Sequence, residues 1–272
     1  MSTKIFDVLI AAVGLALLAL PAHAEVRIDV RAVGGGAYPV SEYSFTEPDG
    51  VTISKTVSSG GSVASASADL SAGVLRALAD SADHDAGSAT YAVPTFGDTF
   101  TFSGPMSGTA YLDYSFEGTI VVDPAKPFAA DSFAEMLVYV SSIAGAATYD
   151  LTLSSVPGWC SAFSQALATL GCVEGTSIAA TGSIPIAIVP GDIYILNQLG
   201  AFAQLGDSVS FENTARFAFR LPDGVSIQSR TGQFLATAAP IVAVPAVPEP
   251  ATWALLLAGA GILASAARGR RS

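Results

Sequence analysis

The chain has 272 residues, enough for one large domain or two small ones with a sizeable core. Twelve Lys and Arg against 23 Asp and Glu give a net charge of −11, which argues against nucleic acid or an anionic membrane surface as a partner. So acidic and lysine-poor a surface suits solubility outside the cell and names no ligand.

Residues 1–24 read as a secretory signal peptide. Lys4 supplies a basic start, Val8 to Leu20 is apolar and uncharged, and Ala22-His23-Ala24 is a small-x-small cleavage site, so Ala22 and Ala24 are the expected recognition residues. A non-cleaved anchor is the competing reading, but the apolar run is short and Pro21 interrupts it. The body from Glu25 keeps 8 of the 12 basic and 21 of the 23 acidic residues, a net charge of −13.

The body, residues 25–238, is rich in Ser, Thr, Gly and Ala with short aromatic-bearing runs between turns, an all-β composition. Val26, Ile28 and Val30 alternate with polar partners before Gly34-Gly35-Gly36 ends the run. Residues 37–68 read as loop-rich: Pro48-Asp49-Gly50 is a turn, Ser58 to Ser62 a flexible link, and Ser62 to Ala68 a flat strand of small residues. Leu70 to Ala79 fits a helical stripe or a strand; Gly73 weakens the helix, and strand is preferred. The clearest period of two follows. Phe96, Phe100 and Phe102 alternate with threonines, and Ala110, Leu112, Tyr114, Phe116, Ile120 and Val122 face away from Asp113, Ser115 and Glu117. Gly118 is expected at a bulge or bend. Further strands are expected at Ala134 to Ser141, Ala147 to Leu153, Ile184 to Val189, Ser208 to Phe211, Ala215 to Leu221 and Gly224 to Ser229, the last two joined by a Pro222-Asp223-Gly224 turn.

Cys160 and Cys172 are the only cysteines, and in an exported chain such a pair is expected to form a disulfide. Phe163, Ala166, Leu167 and Leu170 have helical spacing between them, yet one continuous helix would hold the cysteines about 18 Å apart. A disulfide needs Cα atoms within roughly 7 Å. A short helical excursion of about two turns, with the chain doubling back, satisfies both. The sum is a two-sheet antiparallel sandwich of about ten strands, jelly-roll or related in type.

After a Pro-rich linker at 239–247 comes a three-part cassette at 248–272. Pro248-Glu249-Pro250 should be extended and unable to enter a sheet. Ala251 to Ala267 is uncharged and apolar; as a helix it rises about 25 Å, enough to cross a thin hydrocarbon core. Arg268, Arg270 and Arg271 would stay on the cytoplasmic side. An ordinary single-pass anchor is one reading. The three parts in this order, with Gly259 and Gly261 in the apolar run, resemble a PEP-CTERM sorting signal. Phe96-Gly97-Asp98-Thr99-Phe100 and Phe234-Leu235 are also similar to phrases in β-rich PEP-CTERM ectodomains. The resemblance implies a Gram-negative, exopolysaccharide-producing host and a membrane-embedded exosortase that recognises the cassette and cleaves the tail. It further implies passage through the inner membrane to the cell surface or extracellular matrix.

Catalytic signals are sparse. Once His23 leaves with the signal, His84 is the remaining histidine, and no Gly-x-Ser-x-Gly elbow occurs in the body. Asp83-His84-Asp85, with Asp80 nearby, offers oxygen ligands for a divalent cation, but a solvated turn before Gly87 is the preferred reading. Two cysteines and one histidine leave a zinc site short of ligands. Asp113 and Glu117, on one strand face, lie about 13 Å apart along it, beyond either working separation for glycoside cleavage. Tyr111 could stack on a sugar ring or cover a neighbouring strand. The expectation is therefore an exported, non-enzymatic surface or matrix protein with no cofactor. Its partners would be the export machinery, an exosortase and exopolysaccharide. A carbohydrate-binding module and a secreted hydrolase are the alternatives.

Overall fold

The computed structural model describes residues 24–33, 40–48, 50–82, 89–123, 132–142, 145–154, 173–174, 177–212 and 215–236. They form fifteen strands and, among the described residues, no helix. In order these are β1 (Glu25–Ala32), β2 (Ser41–Pro48), β3 (Thr52–Ser59), β4 (Ser62–Asp69), β5 (Val74–Asp80), β6 (Thr90–Ser103), β7 (Thr109–Val121) and β8 (Phe133–Ser142). Then come β9 (Gly145–Ser154), β10 (Val173–Glu174), β11 (Ser177–Ala187), β12 (Ile193–Ala203), β13 (Ser208–Ser210), β14 (Ala215–Arg220) and β15 (Ser226–Ser229).

Two sheets result. The first has the order β10-β9-β8-β12-β6-β1-β2, with β15 also on β6; the second has β11-β7-β13-β5-β4-β3, with β14 bridging β5 and β7. All pairings are antiparallel except β9 with β10. The inner faces carry the alternation that the sequence announces. Val26, Ile28, Val30, Phe96, Phe100, Leu112, Phe116, Ile120 and Phe217 are all buried in one continuous core. Phe96 meets Phe217 edge-on at 5.7 Å across the two sheets. These rings supply much of the apolar burial that drives the sheets together.

Several expectations are corrected. Residues 41–48 and 52–59 are not loops but the edge strands β2 and β3. Their mostly exposed side chains give little apolar alternation, so the sequence there reads as polar. Ser58 to Ser62 is no flexible link: Gly60 and Gly61, at φ 55° and 93°, close a two-residue hairpin turn between β3 and β4. Both positive angles suit the right-handed twist of the strands they join. Leu70 to Ala79 is strand only from Val74; Leu70 is a buried turn residue whose N–H donates to Val51 O at 2.8 Å. Gly118 marks no bulge. Its pairing with Ile178 is in register, and a Cβ there would meet the Phe211 ring at 2.5 Å.

Strand β12, at the middle of the first sheet, is absent from the sequence expectation. Ile193, Ile195, Leu199 and Ala201 are buried on its inner side and Leu196 on its outer side. With apolar residues on both faces, the period of two is hidden. The Pro222 to Val225 turn forms as expected, with Val225 N donating to Pro222 O at 3.1 Å. It does not make a hairpin, because β14 lies in the second sheet and β15 in the first. The helical excursion expected at Trp159 to Val173 lies outside the described residues except for Val173, which opens β10.

Candidate functional site

Three buried carboxylates are spent on structure. Asp98 sits on the core side of β6 with no exposed surface. It accepts from Thr99 N at 2.7 Å and from Thr231 Oγ1 at 2.6 Å, tying the segment after β15 to the sheet. Asp207, equally buried, accepts from Asp123 N at 2.8 Å and from Ser132 Oγ at 2.7 Å, fastening the exit of β7 to the approach of β8. Asp113, on the outer face of β7, accepts from Arg220 Nε at 3.0 Å and Nη2 at 3.1 Å and from Ser183 Oγ at 2.5 Å. Hydrogen bonds of this kind hold a carboxylate in a fixed place and orientation.

Glu117, which shares that face with Asp113, is exposed and four register positions along β7 from it. The two are not brought together over a cleft. The Arg220 guanidinium lies 4.3 Å from the centre of the Tyr111 ring. Tyr111 therefore covers a neighbouring strand, the second of its two expected roles. Asp80 ends β5, while Asp83, His84 and Asp85 lie outside the described residues. Among the described residues, no group of three His, Cys, Asp or Glu could hold a metal ion. Cys160 and Cys172 lie outside them too, as do Ala22 and the whole cassette with Pro248, Glu249, Pro250, Arg268, Arg270 and Arg271. Ala24 is buried, immediately ahead of β1.

The outer face of the first sheet holds what the sequence did not disclose. Register puts Tyr194 of β12 opposite Thr99 of β6. The Tyr194 ring lies across Gly97, where a Cβ would meet its hydroxyl at 2.7 Å, and its OH donates to Glu25 Oε1 at 3.3 Å. Glycine is needed there so that the ring can lie down on the strand. Burial first, then the Glu25 carboxylate, pushes the Tyr194 phenol far above its ordinary range. Burial pushes Glu25 up as well, against the opposing effects of the Tyr194 hydrogen bond and of Arg27. Tyr139 stands beside Tyr194 at 6.4 Å between ring centres.

Past Thr99 the face opens into a groove of about 460 Å³ whose lining includes Thr99, Thr101, Asp192, Gln228 and Arg230. Asp192, Gln228 and Arg230 are exposed, while Thr99 is 6% exposed and its Oγ1 has no hydrogen-bond partner. The readable signal was the phrase Phe96-Gly97-Asp98-Thr99-Phe100, which places an inward carboxylate between an aromatic bed and an outward threonine. Without β12 in the reading, its partner Tyr194 could not be found.

Residues 246–271 match the family model of the PEP-CTERM protein-sorting motif. The chain carries a C-terminal PEP-CTERM sorting motif. That motif marks it as an exported protein, carrying a membrane-anchor sorting signal and targeted to an exosortase. The PEP-CTERM segment begins ten positions after Ala236, the last described residue. Among the described residues no helix is long and apolar enough to cross a membrane. No curated protein matches the sequence. Two solved structures show a distant likeness. One is TmCBM61 in complex with β-1,4-galactotriose, at 9% identity over 54% of this chain and 71% of that one, TM-score 0.27. The other is the enzymatically active domain of bacteriophage CBA120 tailspike protein 4, at 7% identity over 63% of this chain and 20% of that one, TM-score 0.27. Likeness at this level assigns neither fold nor function.

Proposed function

We propose that this is a non-enzymatic surface or matrix protein of a Gram-negative cell. In this reading it is exported through its signal peptide, held briefly in the inner membrane by residues 251–267, clipped near Pro248-Glu249-Pro250 and associated afterwards with exopolysaccharide. The observation that carries the reading is the PEP-CTERM motif at 246–271 following a β-sandwich. Two features support it. Strand β1 begins at Glu25, so removal of residues 1–24 would leave the first strand whole. Asp98, Asp113 and Asp207 each accept hydrogen bonds that tie elements of the fold together, and Asp113 and Glu117 do not meet over a cleft as a glycosidase pair would. The Cys160–Cys172 disulfide belongs to the same proposal, since an exported chain meets oxidising conditions.

The test replaces Pro248, Glu249 and Pro250 together by alanine and follows the protein by cell fractionation. The variant should accumulate uncut in the membrane fraction while the parent reaches the surface or medium. Equal release of both would overturn exosortase handling and favour a simple anchor or a different release step.

A further inference from the structure

We propose that Asn197 and Asp98 hold a water molecule between them inside the sandwich, on the inner face of the first sheet.

Asn197 is the polar exception on the inner side of β12. Its neighbours along that side are Ile195 and Leu199, and its cross-strand partners are Phe96 of β6 and Val138 of β8, all of them buried and apolar. The Asn197 side chain has no exposed surface, and neither its Nδ2 nor its Oδ1 has a hydrogen-bond partner in the protein. An amide brings two N–H donors and one acceptor oxygen into the core. Burying them unpaired forfeits the bonds they make to water, so native interiors nearly always satisfy such a group.

Register brings a second buried polar group alongside. Asp98 pairs with Ile195, two positions along β6 from Phe96, so it is the diagonal neighbour of Asn197 on the same inner face. Diagonal positions stand roughly 7–8 Å apart, and these two side chains share that interval without bonding to each other. Asp98 is fully buried as well. Its Oδ2 accepts from Thr231 Oγ1 at 2.6 Å and its Oδ1 from Thr99 N at 2.7 Å. A carboxylate offers about four lone-pair sites, so Oδ1 keeps room for another donor.

Water is the ligand this pair fits. It accepts from the Asn197 amide and donates to Asp98, the use to which buried waters are commonly put. A cation would carry charge into apolar surroundings with one carboxylate to meet it, and an apolar ligand would leave the amide unpaired. The bridge extends a network already in place. Gln233 N donates to Thr231 Oγ1, which donates to Asp98, so the water would tie β12 to the segment after β15.

The experiment is nuclear magnetic resonance of the full chain labelled with 15N-asparagine. The sequence has two asparagines, Asn197 and Asn213, so two side-chain amide pairs appear, and Asn213→Ser assigns them. The Asn197 pair should show cross-peaks to water with nuclear Overhauser effects of opposite sign in the laboratory and rotating frames, the signature of a long-lived bound water. Thr231→Val, which removes the nearest hydroxyl of the network, should leave those cross-peaks in place. A crystal structure should then put one water within about 3.2 Å of both side chains. Absence of the cross-peaks, or a direct Asn197–Asp98 bond in the crystal, would overturn the bridge. Loss of the cross-peaks in Thr231→Val would overturn it too, by assigning them to exchange through that hydroxyl. A water on Asn197 that lies out of reach of Asp98 would equally overturn it.

Discussion

Replacing Phe234 with alanine removes a ring that is 5% exposed and lies beyond the last strand, close to the linker. Its ring stacks on Phe100 at 5.8 Å and meets Phe96 at 6.3 Å and Phe219 at 5.7 Å. The turn around it is fastened on both sides. Phe234 N donates to Ser229 Oγ at 3.2 Å and Leu235 N to Leu70 O at 2.9 Å. A backbone held at both points cannot follow the shortened side chain inward, so the cavity stays largely open. Truncation of a buried Phe under such conditions costs about 3–5 kcal/mol. In a domain of this size each kcal/mol lowers the melting temperature by roughly 2–4 °C, so a drop of about 10 °C is expected. Thermal unfolding followed by near-ultraviolet circular dichroism, on the full chain, reads this directly. If the segment were instead the start of a loose linker, the change would fall within about 0.5 kcal/mol. A shift under 2 °C would therefore refute the claim that the fold closes on Phe234.

Asp98→Ala leaves the Thr231 hydroxyl and the Thr99 N–H without their acceptor, so a loss of about 2–3 kcal/mol in urea unfolding is expected, with faster protease cleavage after Gln228. Unchanged proteolysis would show that Asp98 does not hold that segment. Alkaline stability tests Tyr194. Its phenol is raised above the ordinary value of 10, so above pH 10 the unfolded chain releases a proton that the folded one keeps, and stability falls as pH rises. Tyr194→Phe should flatten the fall in melting temperature between pH 9 and pH 11, leaving the slope due to the other raised tyrosines, Tyr91, Tyr114 and Tyr149. An identical fall in both proteins would contradict the burial of that phenol.

What the sequence disclosed follows from which strands bury one face only. Strand β7 reads cleanly because Leu112, Tyr114 and Phe116 all face the core while Asp113 and Ser115 between them face the other way. β12 does not, because Tyr194 and Leu196 are as apolar outward as Ile193 and Ile195 are inward. β2 and β3 fail for the opposite reason: as edge strands they send few side chains into the core, Val57 among them. The sorting motif was legible because its signal is the order of three compositionally distinct parts, which needs no tertiary context. The groove was not, because its residues come from β6, from β15 and Arg230 just after it, and from Asp192 just before β12, and only pairing register joins them.

The central claim is that the chain is exported and clipped at both ends, and intact-mass analysis of the protein recovered from the cell surface or medium tests it most directly. The account predicts a species that begins at Glu25, ends near Pro250 and is two hydrogens lighter than its sequence through a Cys160–Cys172 bond. A full-length chain of residues 1–272 recovered from the cytosol, with both thiols free, would contradict it.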